Sequence, residues 1–422
     1  MTEKTNIPQG YKNSPLGIIP KEWEVKRVCD FGKVVTGSTP PTNDVDNYGS
    51  AYMFVGPVDI TESKYIKSTE KYLSEKGFSI SRNMPKGSVL FTCIGSTIGK
   101  CAIADENLTS NQQINAVICN SNHNEEFLYY ELTNRSNKIR LIAGEQAVPI
   151  INKSTFENIR ILCPPLIEQE RIVSVLGLWD TAIEKQSELI EKLKLRKRAL
   201  MQQLLTGKKR LPGFSGEWKE VKLGDVSTFL RNNTLSREQL NDDDGVINNI
   251  HYGDVLIKYP SIIDCRKEKL QYINHGVSIL TDYVENGDII MSDTAEDETV
   301  GRVCEVQNVG NKKILAGLHT MLIRPHDKLF APYYLGYYLN SEAYHKQLIP
   351  LIQGIKVCSI GKVAVQKTVL RIPSLEEQRI IASVLVKADK EIELAKEKLA
   401  NLQSQKRGLM QQLLTGKKRI NS

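Results

Sequence analysis

The chain has 422 residues, of which 41% are hydrophobic and 25% charged, and its 56 Lys and Arg outnumber its 49 Asp and Glu to give a formal net charge of +7. This composition is globular and excludes a disordered, collagenous or disulfide-scaffold protein. At about 100 to 200 residues per domain, the length predicts two to four domains. The small basic excess permits a nucleic-acid partner but does not indicate a protein that holds DNA by charge alone.

Targeting signals are not evident in the sequence. The first ten residues are polar, and no stretch approaches the roughly 18 apolar residues that cross a bilayer, so we expect a cytoplasmic protein without a membrane partner. The cysteines form no Cys-x-x-Cys pair, which favours buried reduced thiols over a zinc site or a disulfide framework. They are Cys29, Cys93, Cys101, Cys119, Cys163, Cys265, Cys304 and Cys358.

The first block, residues 21–160, mixes short apolar runs with turns rich in Gly, Asn, Pro and Ser. The runs 52–55, 89–94 and 114–119 predict strands, and the stretch 125–141 predicts a helix, so the block is expected to be an α+β domain. Its polar loops are candidates for base contacts, because amide and hydroxyl groups bind base edges. The candidates are Thr36, Gly37, Ser38, Thr39, Lys100, Asn111, Gln112 and Gln113.

A long helix follows, predicted over Glu168–Leu205. Apolar residues recur there at steps of four and three, which is the seam of a coiled coil. At about 1.5 Å per residue, the helix would be a rod on the order of 57 Å. The apolar seam positions are Ile172, Leu176, Trp179, Ile183, Ile190, Leu193, Leu200 and Leu204, interrupted by Gln186 and Lys197.

The second block, residues 216–370, again predicts an α+β domain, with strands at 288–291 and 320–324. A Tyr-rich helix follows, and Tyr333, Tyr334, Tyr337 and Tyr338 at helical spacing favour core packing over a base-stacking platform. The loop at Arg231 aligns with the loop at Thr36 but differs in chemistry, and Gly301-Arg302 matches Gly99-Lys100. The DNA-contact candidates here are Arg231, Asn232, Asn233, Arg302 and Lys356.

The chain then repeats its long helix. Residues 166–210 and 375–419 are identical at 25 of 45 aligned positions, and both end in MQQLLTGKKR. Ser374 and Glu377 have capping-box spacing, and Gly207 and Gly416 mark the ends. The second seam comprises Ile381, Leu385, Ala388, Ile392, Ala395, Leu399, Leu402, Lys406, Leu409 and Leu413, in which Lys406 aligns with Lys197.

Two helices of one chain can pair with each other or with helices of other proteins. If they pair antiparallel, the two variable blocks lie at opposite ends, a layout that suits a bipartite DNA target. The basic runs 208–210 and 417–419 favour interaction with the helix C-termini over phosphate contact. Divergence of the blocks fits two different recognition domains, although duplicated domains also drift where selection is weak.

Catalytic signatures are missing from the sequence. Residues 95–100 read GSTIGK, one residue short of a phosphate-binding loop, and Cys101 follows where Ser or Thr would hold magnesium. Asp30-Phe31-Gly32 lacks the His-Arg-Asp loop of a kinase, and the six histidines show no metal-ligand spacing. These absences weigh moderately against catalysis by this chain.

Taken together, these motifs resemble the specificity subunit of a type I restriction-modification system. The resemblance covers nearly the whole chain through three pairs of segments. They are PKEWEVKRVCDF with SGEWKEVKLGDV, PPLIEQERI with IPSLEEQRI, and the two LMQQLLTGKKR endings. It implies a fold of two tandem target-recognition domains, each α+β with a mixed sheet and helices, separated by two long helices in an intramolecular antiparallel coiled coil.

The resemblance also implies a function and partners. Each recognition domain would recognise one half of a split asymmetric site on double-stranded DNA, and the helices would dock two methyltransferase (modification) subunits. Motor-nuclease (restriction) subunits would join them. The partners would use S-adenosylmethionine, ATP and magnesium, and this chain would need no cofactor. The domains are placed at 1–165 and 211–372, with spacer helices at 166–210 and 373–422.

Two alternatives stay open. The coiled coil by itself is compatible with a protein-interaction scaffold that does not contact DNA. An enzyme in its own right would be revealed by methylation or cleavage by the isolated chain.

Overall fold

The computed structural model describes residues 7–144, 148–277, 281–326, 328–354 and 356–420. The chain divides into two compact units. Unit 1 comprises residues 1–186 and 398–422, and unit 2 comprises residues 187–397. Each unit therefore contains one globular block and a part of each long helix.

Unit 1 is built around a five-stranded mixed sheet of order β4-β11-β8-β9-β6, in which only β6 runs parallel to its neighbour among the described pairings. A second sheet has the order β10-β5-β7. The strands are β1 (Tyr11–Ser14), β2 (Gly17–Pro20), β3 (Glu24–Arg27), β4 (Gly32–Thr36), β5 (Tyr48–Val55), β6 (Tyr65–Ile66), β7 (Lys71–Leu73), β8 (Val89–Thr92), β9 (Cys101–Ala104), β10 (Thr109–Ser110), β11 (Ile114–Cys119) and β12 (Arg160–Cys163). The helices are α1 (Val28–Phe31), α2 (Glu75–Ser79), α3 (Glu125–Ile142), α4 (Lys153–Glu157) and the long α5 (Leu166–Leu204).

Both faces of the central strands are covered, which explains their continuous apolar runs. Every residue of β8 and β9 is buried. Val89 and Phe91 join the core beneath α3, whereas Leu90 joins a second core on the opposite face with Met53.

Unit 2 repeats this strand order in its main sheet, β14-β23-β19-β21-β17, again with the last pair parallel. Its second sheet has the order β15-β18-β16-β22. The strands are β13 (Lys219–Lys222), β14 (Ser227–Leu230), β15 (Leu240–Asn241), β16 (Ile247–Ile250), β17 (Ile262–Asp264), β18 (Gln271–Ile273), β19 (Ile289–Ser292), β20 (Thr294–Ala295), β21 (Val303–Gln307), β22 (Lys313–Ala316), β23 (Thr320–Pro325), β24 (Cys358–Ser359) and β25 (Val369–Ile372). The helices are α6 (Tyr252–Ile257), α7 (Tyr334–Leu339), α8 (Glu342–Leu348), α9 (Lys362–Gln366) and the long α10 (Leu375–Leu413). Short 3-10 turns lie at Val45–Asn47 in unit 1 and at Leu223–Asp225, Arg237–Gln239 and Ile349–Leu351 in unit 2.

The two units differ in the helix that follows the main sheet. Unit 1 has the continuous α3, but unit 2 breaks this helix into α7 and α8. The side-chain amide of Asn340 donates to the carbonyls of Gly336 and Val303 at the break. Tyr334, Tyr337 and Tyr338 on α7 are buried in the core, as their spacing predicts.

The predicted long helices are confirmed, with small corrections at their ends. The first begins at Leu166 rather than Glu168, because the Glu168 amide already donates to the Pro165 carbonyl at 2.9 Å, and it ends at Leu204. Gly207 and Gly416 take φ values of 69° and 68°, the left-handed conformation that closes a helix at low cost for glycine. All eight cysteines lie among the described residues and are free thiols.

Segments of α5 and α10 pair antiparallel inside each unit. In unit 1, Asp180 pairs with Lys406 and Glu168 with Arg419. In unit 2, Lys197 pairs with Asp389 at 2.6 Å and Arg210 with Glu377 at 2.8 Å. Every predicted seam position is buried or partly buried. The α+β fold with paired long helices is therefore confirmed.

The lysines that interrupt both seams belong to a repeated Tyr-Asp-Lys cluster. In unit 2, Asp389 accepts hydrogen bonds from Lys197 and from the Tyr337 hydroxyl, both at 2.6 Å. In unit 1, Asp180 accepts from Lys406 and the Tyr130 hydroxyl. Burial, together with the neighbouring aspartate, raises the pKa of both tyrosines, so each remains a donor. The aspartates thus join the two helices, through the lysines, to the tyrosine of each globular block.

The basic run at each helix end forms an ion pair with a glutamate of the other long helix. The sequence had suggested interaction with the helix C-terminus or contact with phosphate, and predicted neither ion pair. Arg210 donates from Nε and Nη2 to the carboxylate of Glu377, whose side chain is only 2% exposed. The capping-box prediction for Ser374 was therefore half wrong. Ser374 accepts from the Glu377 amide at 3.3 Å, but the Glu377 carboxylate binds Arg210.

The first and last described segments of the chain meet inside unit 1. The Tyr11 hydroxyl, on the hairpin of β1 and β2, donates to the carbonyl of Gly416 at 2.9 Å. Arg419 pairs with Glu22 at 3.1 Å and also with Glu168, to which the buried Trp23 indole donates at 2.9 Å. The first and last described segments of the chain thus complete one core.

Candidate nucleic-acid interface

Two of the predicted loops in unit 1 lie against each other. The loop 36–39 leaves β4, and the loop 111–113 joins β10 to β11. The Gly37 amide donates to the Ile114 carbonyl at 2.9 Å, and the Ser38 amide donates to the Ser110 carbonyl at 2.8 Å. The Thr39 hydroxyl donates to Gln112 Oε1 at 2.7 Å. The structure therefore joins these candidates in one polar surface.

The close approach of the two loops requires the glycine between them. A Cβ on Gly37 would lie 2.1 Å from the Asn111 carbonyl oxygen, which is a severe overlap with backbone. Gly37 therefore shapes the loop rather than offering a contact of its own.

The amide groups of the loop 111–113 are unequally used. Asn111 turns inward, accepting from the Gln113 amide and donating to Gln113 Oε1, both at 3.0 Å. Gln112 is exposed, and among the described residues its Nε2 has no hydrogen-bond partner. Gln112 is thus the exposed side-chain amide of this loop and is available to a ligand.

Sequence reasoning missed Arg82, which lies at the same surface. Its exposed guanidinium donates to the Thr36 carbonyl at 3.1 Å, and its amide donates to the Ser38 hydroxyl at 3.0 Å. Its 46-residue separation from Thr36 left no local pattern that could have indicated it. Arg82 adds a positive charge beside the two loops.

The matching loop in unit 2 contains one exposed and one buried candidate. Arg231 is exposed, and its backbone amide donates to the Asp282 carboxylate at 2.9 Å. This hydrogen bond is the main cause that lowers the pKa of Asp282. Asn233 is 4% exposed, and its amide is satisfied by Asn249, by the Ala316 carbonyl and by the Leu235 amide. Asn233 therefore holds the loop, while Arg231 faces solvent.

Asn232 links this loop to the turn between β22 and β23. It is partly buried, and its Nδ2 donates to the Gly317 carbonyl at 3.2 Å.

Lys100 and Arg302 have equivalent structural roles. Lys100 Nζ donates to the Pro57 carbonyl at 3.3 Å, just after β5. Arg302 donates to the Leu256 and Tyr259 carbonyls at the end of α6, which follows the corresponding strand β16. Both basic groups thus hold the segment beside the candidate loops. Lys356 is exposed, and in the described part of the chain it makes no hydrogen bond or ion pair to another candidate.

The same backbone hydrogen bonds build this region in both units. Asn111 donates to the Val55 carbonyl at 3.0 Å, and in unit 2 Gly317 donates to the Ile250 carbonyl at 2.9 Å. The amides of Cys93 and Asp293 donate to the carbonyls of Gln113 and His319 at 2.8 and 3.0 Å. Position 113 of unit 1 therefore corresponds to position 319 of unit 2, a relation that the sequence had not indicated.

Two carboxylates deep in the units belong to the scaffold. Burial raises the pKa of Glu305 in unit 2 to about 7, although Tyr333, Gly336 and Gln307 donate to it. Burial likewise raises the pKa of Glu131 in unit 1, which pairs with Arg135. Among the described residues, no group of three or more His, Cys, Asp or Glu could hold a metal ion. In that part of the chain no helix is long and apolar enough to cross a membrane.

The sequence profile described as the type I restriction modification DNA specificity domain matches twice, at residues 20–195 and 215–404. The chain belongs to the type I restriction-modification DNA specificity family. The two matches correspond to the duplication seen in the helices and in the backbone of the two units.

Individual relatives agree with this assignment. The chain is 34% identical over 194 residues to the MjaIX specificity subunit of a type I restriction enzyme from Methanocaldococcus jannaschii, covering 44% of this chain and 45% of that one. The MjaVIII specificity subunit of the same organism is 23% identical over 423 residues, covering 96% and 95%. The match to MjaIX thus spans less than half of that relative, whereas the match to MjaVIII is nearly end to end.

A solved structure supports the fold. A chain from a study of assembly and conformational transition in a type I restriction-modification system matches with a TM-score of 0.61 and 19% identity, covering 94% of this chain and 99% of that one. Specificity subunits are the non-catalytic members of these systems, whose catalytic activities lie in other subunits, and they act with those subunits and DNA. The family predicted from the repeated helices is therefore confirmed.

Proposed function

We propose that this chain recognises a bipartite, asymmetric DNA site, with one half-site for each globular block. The observation that carries the proposal is the pair of equivalent backbone frameworks in units 1 and 2, which present different side chains at matching positions. A shared frame with variable side chains is what two modules that bind different base sequences require.

The exposed groups have the chemistry of base recognition. In unit 1, Gln112 offers a free amide donor, a group that binds adenine edges. In unit 2, Arg231 uses its backbone amide and Nε for Asp282, and within the described residues its Nη atoms have no hydrogen-bond partner. An arginine with free Nη donors can bind the O6 and N7 acceptors of guanine. Because backbone hydrogen bonds fix both loops, little backbone conformational entropy is lost on binding.

The helices provide surface for the partner subunits. Leu178, Leu195 and Leu394 on α5 and α10 expose 71%, 61% and 51% of their surface. We assign this outer surface to two methyltransferase subunits, which motor-nuclease subunits would join. S-adenosylmethionine, ATP and magnesium are assigned to those partners, and the assembly is assigned to the cytoplasm.

The test is an exchange of residues 216–365 for the corresponding block of another specificity subunit, in the full chain with its methyltransferase partners. Mapping methylated bases across a host genome should show one half-site changed and the other retained. The matched control exchanges residues 21–160 and should change the other half-site. A change in both half-sites after one exchange would contradict the modular proposal.

The same experiment distinguishes the proposed function from the main alternative, a protein-interaction scaffold. A protein-interaction scaffold would still co-purify with the partners, but the assembled complex would show no sequence preference. Methylation or cleavage by the isolated chain would instead indicate an enzyme.

A further inference from the structure

The unit 2 surface contains a histidine at the position that Gln113 occupies in unit 1. Backbone bonds from Cys93 and Asp293 establish the equivalence of Gln113 and His319. His319 lies in the turn between β22 and β23, two residues after Gly317, whose carbonyl accepts from Asn232. It is therefore part of the same loop cluster as the candidate residues 231 and 232.

The backbone places the His319 side chain at the surface. Its φ is 54°, in the left-handed region that non-glycine residues adopt at a cost. Its side chain remains 47% exposed, so burial of the ring does not offset that cost. A strained, exposed aromatic residue at the rim of a binding surface is typical of a functional position.

Neighbouring groups fix the orientation of the ring. Nδ1 lies 3.3 Å from the Thr294 hydroxyl and 3.5 Å from Asp293 Oδ1, and Thr294 also donates to Asp293 at 2.8 Å. The Tyr252 ring meets His319 edge to face, with centroids 5.4 Å apart and planes at 87°. With Nδ1 directed at the carboxylate, Nε2 is the nitrogen left for a ligand, and within the described residues it has no partner.

His251, beside Tyr252, is a useful contrast. It is 7% exposed, its Nδ1 accepts from the Gly253 amide at 3.3 Å, and burial lowers its pKa. That histidine caps α6 and has no free face. The two rings are therefore chemically distinct, and only His319 can bind an external group.

We propose that His319 is a specificity-determining residue that contacts a base edge through Nε2 in the half-site bound by unit 2, with Tyr252 positioning its ring. The neutral ring with Nδ1 protonated would accept from an exocyclic amino group, the chemistry of adenine N6 and cytosine N4. This inference rests on the proposed DNA recognition, and it identifies the contact residue at one position of one half-site.

The test uses the full chain assembled with its methyltransferase partners. The wild-type site is first mapped by genome methylation, and all single-base variants of both half-sites are then compared on plasmids. The variants are H319A and H319Q, with H326A as the matched control. His326 is at the opposite end of β23, where its Nε2 lies 3.3 Å from the Thr228 hydroxyl. Q113A probes the equivalent position in unit 1.

We expect H319A to reduce discrimination about tenfold or more at one base pair of the unit 2 half-site, with the unit 1 half-site unchanged. Y252A should relax the same base pair by a smaller factor. H326A should leave both half-sites as in the wild type, and any relaxation with Q113A should fall in the other half-site.

Other outcomes would overturn the proposal. Wild-type discrimination by H319A would remove His319 from the contact surface while leaving the proposed function intact. If H319A abolishes methylation altogether, H319Q decides: an altered base preference supports the contact, and an unaltered one overturns it. A wild-type complex without any sequence-specific site would overturn the proposed function and this inference together.

Discussion

The paired helices and the globular blocks of this chain are duplicated in different ways. In the helices, the same side chains make the same contacts in both units: Glu377 with Arg210 in unit 2 and Glu168 with Arg419 in unit 1. In the blocks, the same backbone bonds carry different side chains, as at Gln113 and His319. The difference teaches that contacts between side chains hold the helical frame, while backbone contacts hold the candidate DNA-binding loops and leave their side chains free to vary.

The largest effect should come from changing helix length in one copy only. Asp180 and Lys197 on α5 are 17 positions apart (180 to 197), as are Asp389 and Lys406 on α10 (389 to 406). Inserting four residues between Glu184 and Leu193 should therefore break at least one of the two Tyr-Asp-Lys clusters. We expect altered half-site spacing or loss of DNA binding, measured by methylation mapping and by binding to DNA with varied spacers.

A matched second insertion between Glu393 and Leu402 gives the control. It restores equal spacing on both helices and should restore binding, with a site lengthened by about 6 Å at about 1.5 Å per residue. Unaltered specificity and affinity after the single insertion would count against the helices as a spacer.

The ion pairs at the helix ends test whether the two units are equally sensitive. Arg210→Ala leaves the Glu377 carboxylate, 2% exposed, without its cation, and should lower the free energy of unfolding of unit 2 by about 3 kcal/mol. Arg419→Ala should cost unit 1 less, because Glu168 is 10% exposed and keeps the Trp23 indole donor. Hydrogen exchange followed separately in each unit during denaturant titration measures both.

Arg210→Lys is the conservative control and should recover part of the loss. Equal destabilisation by the two alanine variants would show that the indole donor does not support Glu168.

A buried carboxylate should make the stability of unit 2 depend on pH. The pKa of Glu305 is raised to about 7, above the value of about 4.3 for an unfolded glutamate, so folding takes up a proton between these pH values. The contribution of protonated Glu305 to the stability of unit 2 is thus fully present below about pH 4 and is lost as pH rises through 7. Unit 1 has Ile103 at the equivalent point, where its amide donates to Lys64 as that of Glu305 donates to Ser261.

Glu305→Gln should therefore reduce the loss of unit 2 stability between pH 5 and 8 by about 2 kcal/mol. The measurement is hydrogen exchange of each unit across this range, with the exposed Glu296→Gln as control. A wild-type slope in the Glu305 variant would assign the pH dependence elsewhere.

The smallest effect concerns the seam lysines. Lys197→Met leaves Asp389 with the Tyr337 hydroxyl as its partner and should cost unit 2 about 1 kcal/mol. Lys406→Met should cost unit 1 less, because Lys64 remains 3.4 Å from Asp180. Denaturation of each variant, and of the double variant with Lys64→Met, measures the difference; identical costs would mean that Lys64 does not compensate.

Local patterns predicted the fold better than they predicted the site. The heptad seam at Leu176 and Leu385 identified both long helices, because the residues that define helical periodicity lie only three or four positions apart. The partner of Arg210 lies 167 residues away, so the run of basic residues gave no sign of it. At the candidate site, only the structure shows that Asn233 is buried while Arg231 is exposed. Likewise, only the backbone hydrogen bonds show that His319 and Gln113 occupy equivalent positions.

The meeting of the first and last described segments inside unit 1 has a consequence for biosynthesis. Unit 2 is continuous over residues 187–397, so its whole sequence has left the ribosome before unit 1 has received residues 398–422. Leu413 packs in the same core as Ile172 and Leu176, so that core stays incomplete until residue 413 has been synthesised. Prior folding of unit 2 shortens the chain that must be closed and so lowers the entropic cost of completing unit 1. Unit 1, whose globular block is synthesised before unit 2, is accordingly completed after it.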